Sequence, residues 1–196
     1  MKGILLIVSG PSGAGKGTVV QHLIAKKDYA LSVSATTRRP RPGEREGVHY
    51  FFKTPEEFLE LRRQSRLLEW AEFCGNYYGT PRDYVERKLE RGENVILEIE
   101  VQGALQVKAK MPEAVMLFLM PPSWDELRHR LTGRGTEDEK TVEQRIARAV
   151  EEMALLPHYD YAVVNHTVDQ AAKQIETIVA AEKLRVSRNP ELGKLY

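Results

Sequence analysis

Apolar positions along the chain switch between unbroken runs and helical spacing. Residues 4–9 are almost wholly apolar, the pattern of a short strand buried on both faces. Val19, Val20, Leu23 and Ile24 then recur at helical spacing. Further strands are predicted over 31–34, 48–52, 67–73, 94–100, 114–120 and 161–164, each a short run rich in apolar or aromatic residues. Gly75-Asn76 reads as a turn. Helix starts are legible between them. Thr54 precedes Pro55 with Glu57 three places on, a capping residue, a proline at the first helical position and the acid of a capping box. Ser123 with Glu126, and Thr136 with Glu139, repeat that spacing, and Thr167 with Gln170 caps a last helix whose inner face carries Ala171, Ile175, Ile178 and Val179. Thr80-Pro81 opens another helix, which runs to Arg91 and stops at Gly92.

Strands alternating with helices predict an α/β fold: three layers, with a parallel sheet flanked by helices on both faces. Two intervals depart from that rhythm. Residues 34–80 are richer in short strands and turns, as an inserted lobe would be. Residues 125–148 read as a helix pair split by Gly133 and Gly135, as a hinged lid would be. The remainder, 1–33, 81–124 and 149–196, forms the core of one domain, a size that 196 residues support.

The first strand and helix enclose Gly10-Pro11-Ser12-Gly13-Ala14-Gly15-Lys16-Gly17. Glycines between a strand and a helix allow successive backbone N–H groups to face one anion, the helix N-terminus adds partial positive charge, and Lys16 adds a mobile cation. This is a nucleotide phosphate loop of the P-loop type. Gly17 stands where Ser or Thr would hold a metal ion. A magnesium ion is then held by nucleotide oxygens and water, or by Thr18 at a shifted angle. A second basic feature is the loop 35–47, with two prolines, two glycines and four arginines. Glu98 and Glu100, two apart on a predicted strand, are expected to share a face at its carboxyl end, the edge where open α/β sheets bind ligands.

Composition narrows the setting. A formal net charge of +1 gives no global field toward nucleic acid or membrane. Cys74 is the single cysteine, expected as a small, half-buried apolar residue. No internal disulfide can form, which suits a reducing, cytoplasmic compartment. No run is long enough for a signal peptide or membrane span.

Thr36-Thr37-Arg38, Arg41, Glu44, Gly47, Tyr50 and Phe52 fall at the spacings of the guanylate kinase signature. Glu69-Trp70-Ala71, Gly75-Asn76-Tyr77-Tyr78-Gly79, Gln102-Gly103, Pro121-Pro122-Ser123 and Arg130-Leu131-Thr132-Gly133-Arg134-Gly135 continue the match. The chain resembles single-domain, bacterial-type guanylate kinases from its first strand to about residue 188. The resemblance implies Mg-dependent transfer of the ATP γ-phosphoryl group to GMP, with dGMP kept as an alternative acceptor. It implies that Arg38, Arg41, Tyr50 and Tyr78 hold the GMP phosphate. Ser34, Glu69 and Thr80 would read guanine, which offers N1–H and the N2 amine as donors and O6 as acceptor. Lys16, Arg38, Arg134 and Arg145 would serve catalysis, with Arg130 and Asn165 on the ATP side. Glu98 and Glu100 are candidates for the GMP side, one of them orienting magnesium-bound water and the other the acceptor ribose or base. Glutamate at 100 departs from the aspartate more common there, so its direct contact stays open. Two alternatives are a non-catalytic guanylate-kinase-like interaction domain and a kinase for another monophosphate. Intact Lys16 and the lid arginines stand against the first, Glu69 with the Asn-Tyr-Tyr-Gly turn against the second.

Overall fold

The computed structural model describes residues 2–26, 28–133 and 139–194. The apolar run after the N-terminus forms β1 (Leu5–Ser9), every residue of it buried. It sits at the centre of a five-stranded sheet with β2 (Tyr29–Leu31), β7 (Asn94–Glu98), β8 (Val115–Met120) and β9 (Tyr161–Val164), in the order β2-β7-β1-β8-β9. Each pairing is parallel. Alternate side chains of β1 feed two cores, as the pleat requires. Leu6 and Val8 pack with α1 (Lys16–Ile24) and α7 (Val168–Lys183) through Val19, Val20, Leu23, Ala171, Ile175 and Val179. Leu5 and Ile7 pack on the other face with α3 (Arg82–Glu90) and α4 (Val101–Lys110) through Val85, Leu89, Ala104 and Val107. The expected parallel sheet with helices on both faces is therefore present.

A second sheet is inserted between β2 and α3. It comprises β3 (Ser34–Thr36), β4 (Tyr50–Phe52), β5 (Leu67–Phe73) and β6 (Asn76–Pro81), in the order β4-β3-β6-β5. Its strands pair in both senses. Helix α2 (Pro55–Arg63) covers it, opened by the reciprocal Thr54–Glu57 capping box read from the sequence. Phe58, Ala35 and Leu67 form a separate small core there, and Phe58 stacks on Tyr77 with ring centroids 5.5 Å apart. On the opposite side of β1, helices α5 (Trp124–Thr132) and α6 (Glu139–Met153) pack on each other through Leu127, Leu131, Val142 and Ala149. Ser123 caps α5 and Thr167 caps α7, as read from the sequence.

Several expectations are corrected. Residues 31–34 are not one strand: Leu31 ends β2 in the parallel sheet and Ser34 begins β3 in the other. The chain changes sheets between them, which alternation over four residues cannot reveal. Thr80 does not cap a helix, because its hydroxyl donates to Glu69 and β6 continues through Pro81. The strand expected to end at residue 100 stops at Glu98, and Glu100 is the residue that opens α4, so the two carboxylates do not share a strand face. Cys74 is exposed, in a tight turn with φ of 48°. Helix α6 runs unbroken to Met153, past the lid boundary expected at 148. The cap expected at Thr136, and Arg134, lie outside the described residues. Among the described residues no helix is long and apolar enough to cross a membrane.

Candidate active site

In a parallel sheet the carboxyl ends of all strands lie on one edge. Here β1 sits between β7 and β8, which the chain enters on opposite sides, so its loop falls at the topological switch point. The loop backbone has positive φ at Gly10, Gly13 and Gly15, and the closest approaches are at the first and last. Gly10 has φ of 141°, and a Cβ there would lie 2.1 Å from the Leu119 carbonyl oxygen. Gly15 has φ of 90°, and a Cβ there would lie 2.5 Å from Asn165 Nδ2. A side chain at Gly10 would collide with backbone and one at Gly15 with the Asn165 amide, and either would adopt a backbone that L residues avoid.

The loop is pinned from the last strand and from α5. Buried Asn165 donates from Nδ2 to the Ala14 carbonyl at 2.8 Å. Arg130 donates to the carbonyls of Ala14 and Asn165 at 3.3 and 3.0 Å, and its Nε pairs with Glu126 at 2.7 Å. Pro11 accepts from the Ala14 N–H at 3.1 Å. Gly13, Gly15, Thr18, Arg130 and Asn165 line an open cleft of about 550 Å³. The sequence-predicted ATP residues of this side are thus brought together.

A second cleft, about 380 Å³, lies over the loop's other side and is lined by Gly10, Ser12, Lys16, Glu98, Ile99, Glu100, Arg145, Arg148 and Glu152. Lys16 Nζ folds back onto the carbonyls of Gly10 and Pro11, at 2.5 and 3.1 Å. Burial lowers its pKa, and the charges of Glu152, Glu98 and Glu100 oppose that shift. Burial likewise raises the pKa of Glu98, against the pull of Lys16. Arg145 donates to Ser12 Oγ at 2.5 Å. Arg148 donates to Glu100 at 2.6 Å and to Glu152 at 3.3 Å.

A third cavity, about 170 Å³, is lined by Ser34, His49, Tyr50, Thr80, Leu97, Glu98 and Ile99. Behind Thr80 lies Glu69, 8% exposed, whose Oε1 accepts from the Thr80 hydroxyl at 2.6 Å. Burial raises the Glu69 pKa and the Thr80 bond opposes it. Its Oε2 lies 3.3 Å from where a Cβ on Gly103 would be, so a side chain there would press on this carboxylate. Gln106 fixes that approach with two 3.3 Å bonds to the Trp70 backbone.

Arg38 lies over the Tyr50 ring, 5.5 Å from its centroid, and Tyr50 meets Tyr78 edge-on at 6.2 Å. Its guanidinium pairs with both Glu44 oxygens at 2.8 and 3.0 Å, and Glu44 also accepts from the Arg41 N–H at 2.8 Å. The Arg38 bonds, with that N–H, hold the Glu44 carboxyl below the usual carboxylate range. Arg41 joins this group through its backbone, with its side chain exposed. Sequence reasoning assigned no role to Glu44, Arg148 or Glu152. The available signal was the spacing of Arg148 three places after Arg145 on a predicted helix.

Known proteins are similar to this chain in sequence and fold. The family model described as guanylate kinase matches residues 2–182. A guanylate kinase of Desulfitobacterium hafniense is 52% identical over 189 residues, covering 96% of this chain and 94% of that one. A guanylate kinase of Bacillus anthracis is 53% identical, covering 95% and 92%. Among solved structures, guanylate kinase from Anaplasma phagocytophilum aligns with a TM-score of 0.72 at 35% identity, covering 95% of this chain and 89% of that chain.

Proposed function

The chain belongs to the guanylate kinase family, and from that premise we propose that its clefts form one ATP:GMP phosphotransferase site. The observation that carries this reading is the shared wall. Glu98 and Ile99 line both the cleft of Lys16 and the cavity of Ser34, Tyr50 and Thr80. A donor phosphate on the loop and an acceptor nucleotide beside Glu69 therefore meet at one place. A GMP phosphate oxygen bonds to the γ-phosphorus of ATP as the bond to the β–γ bridging oxygen breaks, giving GDP and ADP. No covalent enzyme intermediate is needed.

Each residue group has a task that its chemistry supports. Loop N–H groups and Lys16 hold the donor phosphates. Arg38 and Arg41, with Tyr50 and Tyr78, hold the acceptor phosphate, for which guanidinium forks are matched donors. Glu69 takes the N1–H and N2 donors of guanine and the Ser34 hydroxyl serves O6, while the single proton of the Thr80 hydroxyl goes to Glu69 and holds that carboxylate in place. Arg145 and Arg134 meet the charge that spreads over the transferring oxygens. Asn165 and Arg130 hold the loop and border the ATP cleft. Residues 34–80 act as the GMP-binding lobe, and α5 with α6 as the lid.

The donor set fits a magnesium ion held chiefly by nucleotide oxygens. Gly17 offers no ligand, and a Cβ there would lie 3.5 Å from Glu98 Oε1. Among the described residues no cluster of three His, Cys, Asp or Glu could hold a metal. Glu98, facing Gly17, would orient water around such an ion, while Thr18 lines the cleft of Arg130 and Asn165. Bound magnesium neutralises phosphate charge. The single cysteine suits the reducing cytoplasm as the site of action.

A coupled ADP-release assay over AMP, CMP, GMP and UMP tests the reading. Turnover with GMP and not with the other three is expected; equal turnover with AMP would overturn the base assignment. A non-catalytic role is disfavoured by the intact Lys16 and lid arginines.

A further inference from the structure

Three cations and three carboxylates line the cleft over the phosphate loop: Lys16, Arg145 and Arg148 against Glu98, Glu100 and Glu152. Arg148 bridges two elements there. From α6, its Nη2 donates to Glu100 Oε2 at 2.6 Å, where α4 begins, and its Nε donates to Glu152 at 3.3 Å. Arg145, three residues earlier, lies on the same face of α6 and touches Ser12 of the loop. Neither partner of the Arg148–Glu100 pair serves the core, since their side chains are 59% and 73% exposed. An arginine fork donates to carboxylate and phosphate oxygens alike, and here it gives Glu100 a single bond. A nucleotide phosphate entering this cleft therefore competes directly with Glu100 for Arg148.

We infer that Arg148 is a further phosphate-binding residue of this site, stored on Glu100 until nucleotide enters. The phosphates take the guanidinium, and the Glu100 carboxylate is released toward the acceptor nucleotide. This rests on the phosphotransferase reading above. It also couples the two substrates. ATP alone must strip Arg148 from Glu100 and leave that carboxylate without its cation. GMP supplies a new partner for the carboxylate, so the exchange is favoured when both nucleotides are present.

The test uses the whole chain as parent, Glu100→Gln, Arg148→Gln, the double variant and Arg148→Lys. Calorimetry measures the Kd of a non-hydrolysable ATP analogue, and the coupled assay measures kcat and KM. Glu100→Gln should bind the analogue about two- to five-fold more tightly, the worth of an exposed ion pair no longer competing. In the Arg148→Gln background the same change should produce no tightening. Arg148→Gln should lower kcat by roughly ten-fold or more, as a lost charge-assisted contact does. Arg148→Lys, which keeps the charge without the fork, should fall between it and the parent. Equal tightening in both backgrounds, no tightening in either, or parental kcat in Arg148→Gln overturns the inference. A parent with no GMP-dependent ADP release would instead refute the phosphotransferase reading, and the analogue-binding cycle would still decide whether Arg148 is exchanged.

Discussion

Replacing Glu69 by Gln tests the base assignment with almost no change of shape. The carboxylate is 8% exposed and its Oε1 already accepts from Thr80 at 2.6 Å. An ionised carboxylate has about four acceptor positions, which leaves enough for guanine N1–H and N2–H. In Gln the amide oxygen keeps Thr80 and one guanine donor, and the NH₂ group opposes the other. One charge-assisted hydrogen bond, about 1.5–3 kcal/mol, is lost, so kcat/KM for GMP should fall roughly ten- to 150-fold. AMP behaves differently. Adenine has no N1 donor and carries an amine where guanine has O6, so the parent should reject it by about 10⁴ because Glu69 would stay buried and unpaired. Stability should move the opposite way. The folded-state pKa of Glu69 is raised by burial, so the group contributes stability that is full below its unfolded pKa and lost as pH rises through the folded value. At neutral pH the ligand-free Gln variant should therefore melt at or above the parent, while GMP raises its Tm by less. The measurements are kcat/KM for GMP and AMP in both proteins, with melting curves between pH 4 and 8. Full GMP activity in Glu69→Gln, or a parent that uses AMP nearly as well as GMP, would refute the reasoning.

Lys16→Met should fold normally and lose most turnover, because the loop-borne cation at the donor phosphates is removed; a variant with parental turnover of ATP and GMP would exclude the phosphate-loop assignment. The lobes carrying Arg38 and Arg145 should close over bound nucleotides, excluding water from the transfer. Small-angle scattering should then show a smaller radius with GMP and a non-hydrolysable ATP analogue, and an unchanged profile at saturation would count against closure. Phe58→Ala should cost about 3–5 kcal/mol in urea unfolding, since the ring is fully buried in the small core of the inserted sheet. A loss below about 1 kcal/mol would mean that this core can collapse around the gap.

The parts of this protein set by local chemistry were legible from the amino-acid sequence. The buried run of β1, the glycine loop and the Thr54, Ser123 and Thr167 caps each depend on residues a few places apart, so spacing alone specifies them. The resemblance to the family likewise singles out Ser34, Arg38, Tyr50, Glu69, Tyr78 and Thr80 as candidates from sequence alone. Contacts between distant segments were not legible. Helix α4 left no clear sequence signal, yet its Gly103 gives Glu69 the room it has. Thr80 looked like a cap because Pro81 follows it, and only the pairing of β5 with β6 turns its hydroxyl to Glu69. Glu98 and Glu100 were expected on one strand face. They meet in one cleft for another reason: β7 ends between them and α4 starts, which leaves Glu98 beside Lys16 and Glu100 within reach of Arg148. A sequence pattern records which residues a short segment needs. Which carboxylate faces which cation, 48 residues away along the chain, is decided by how the helices pack on the sheet edge.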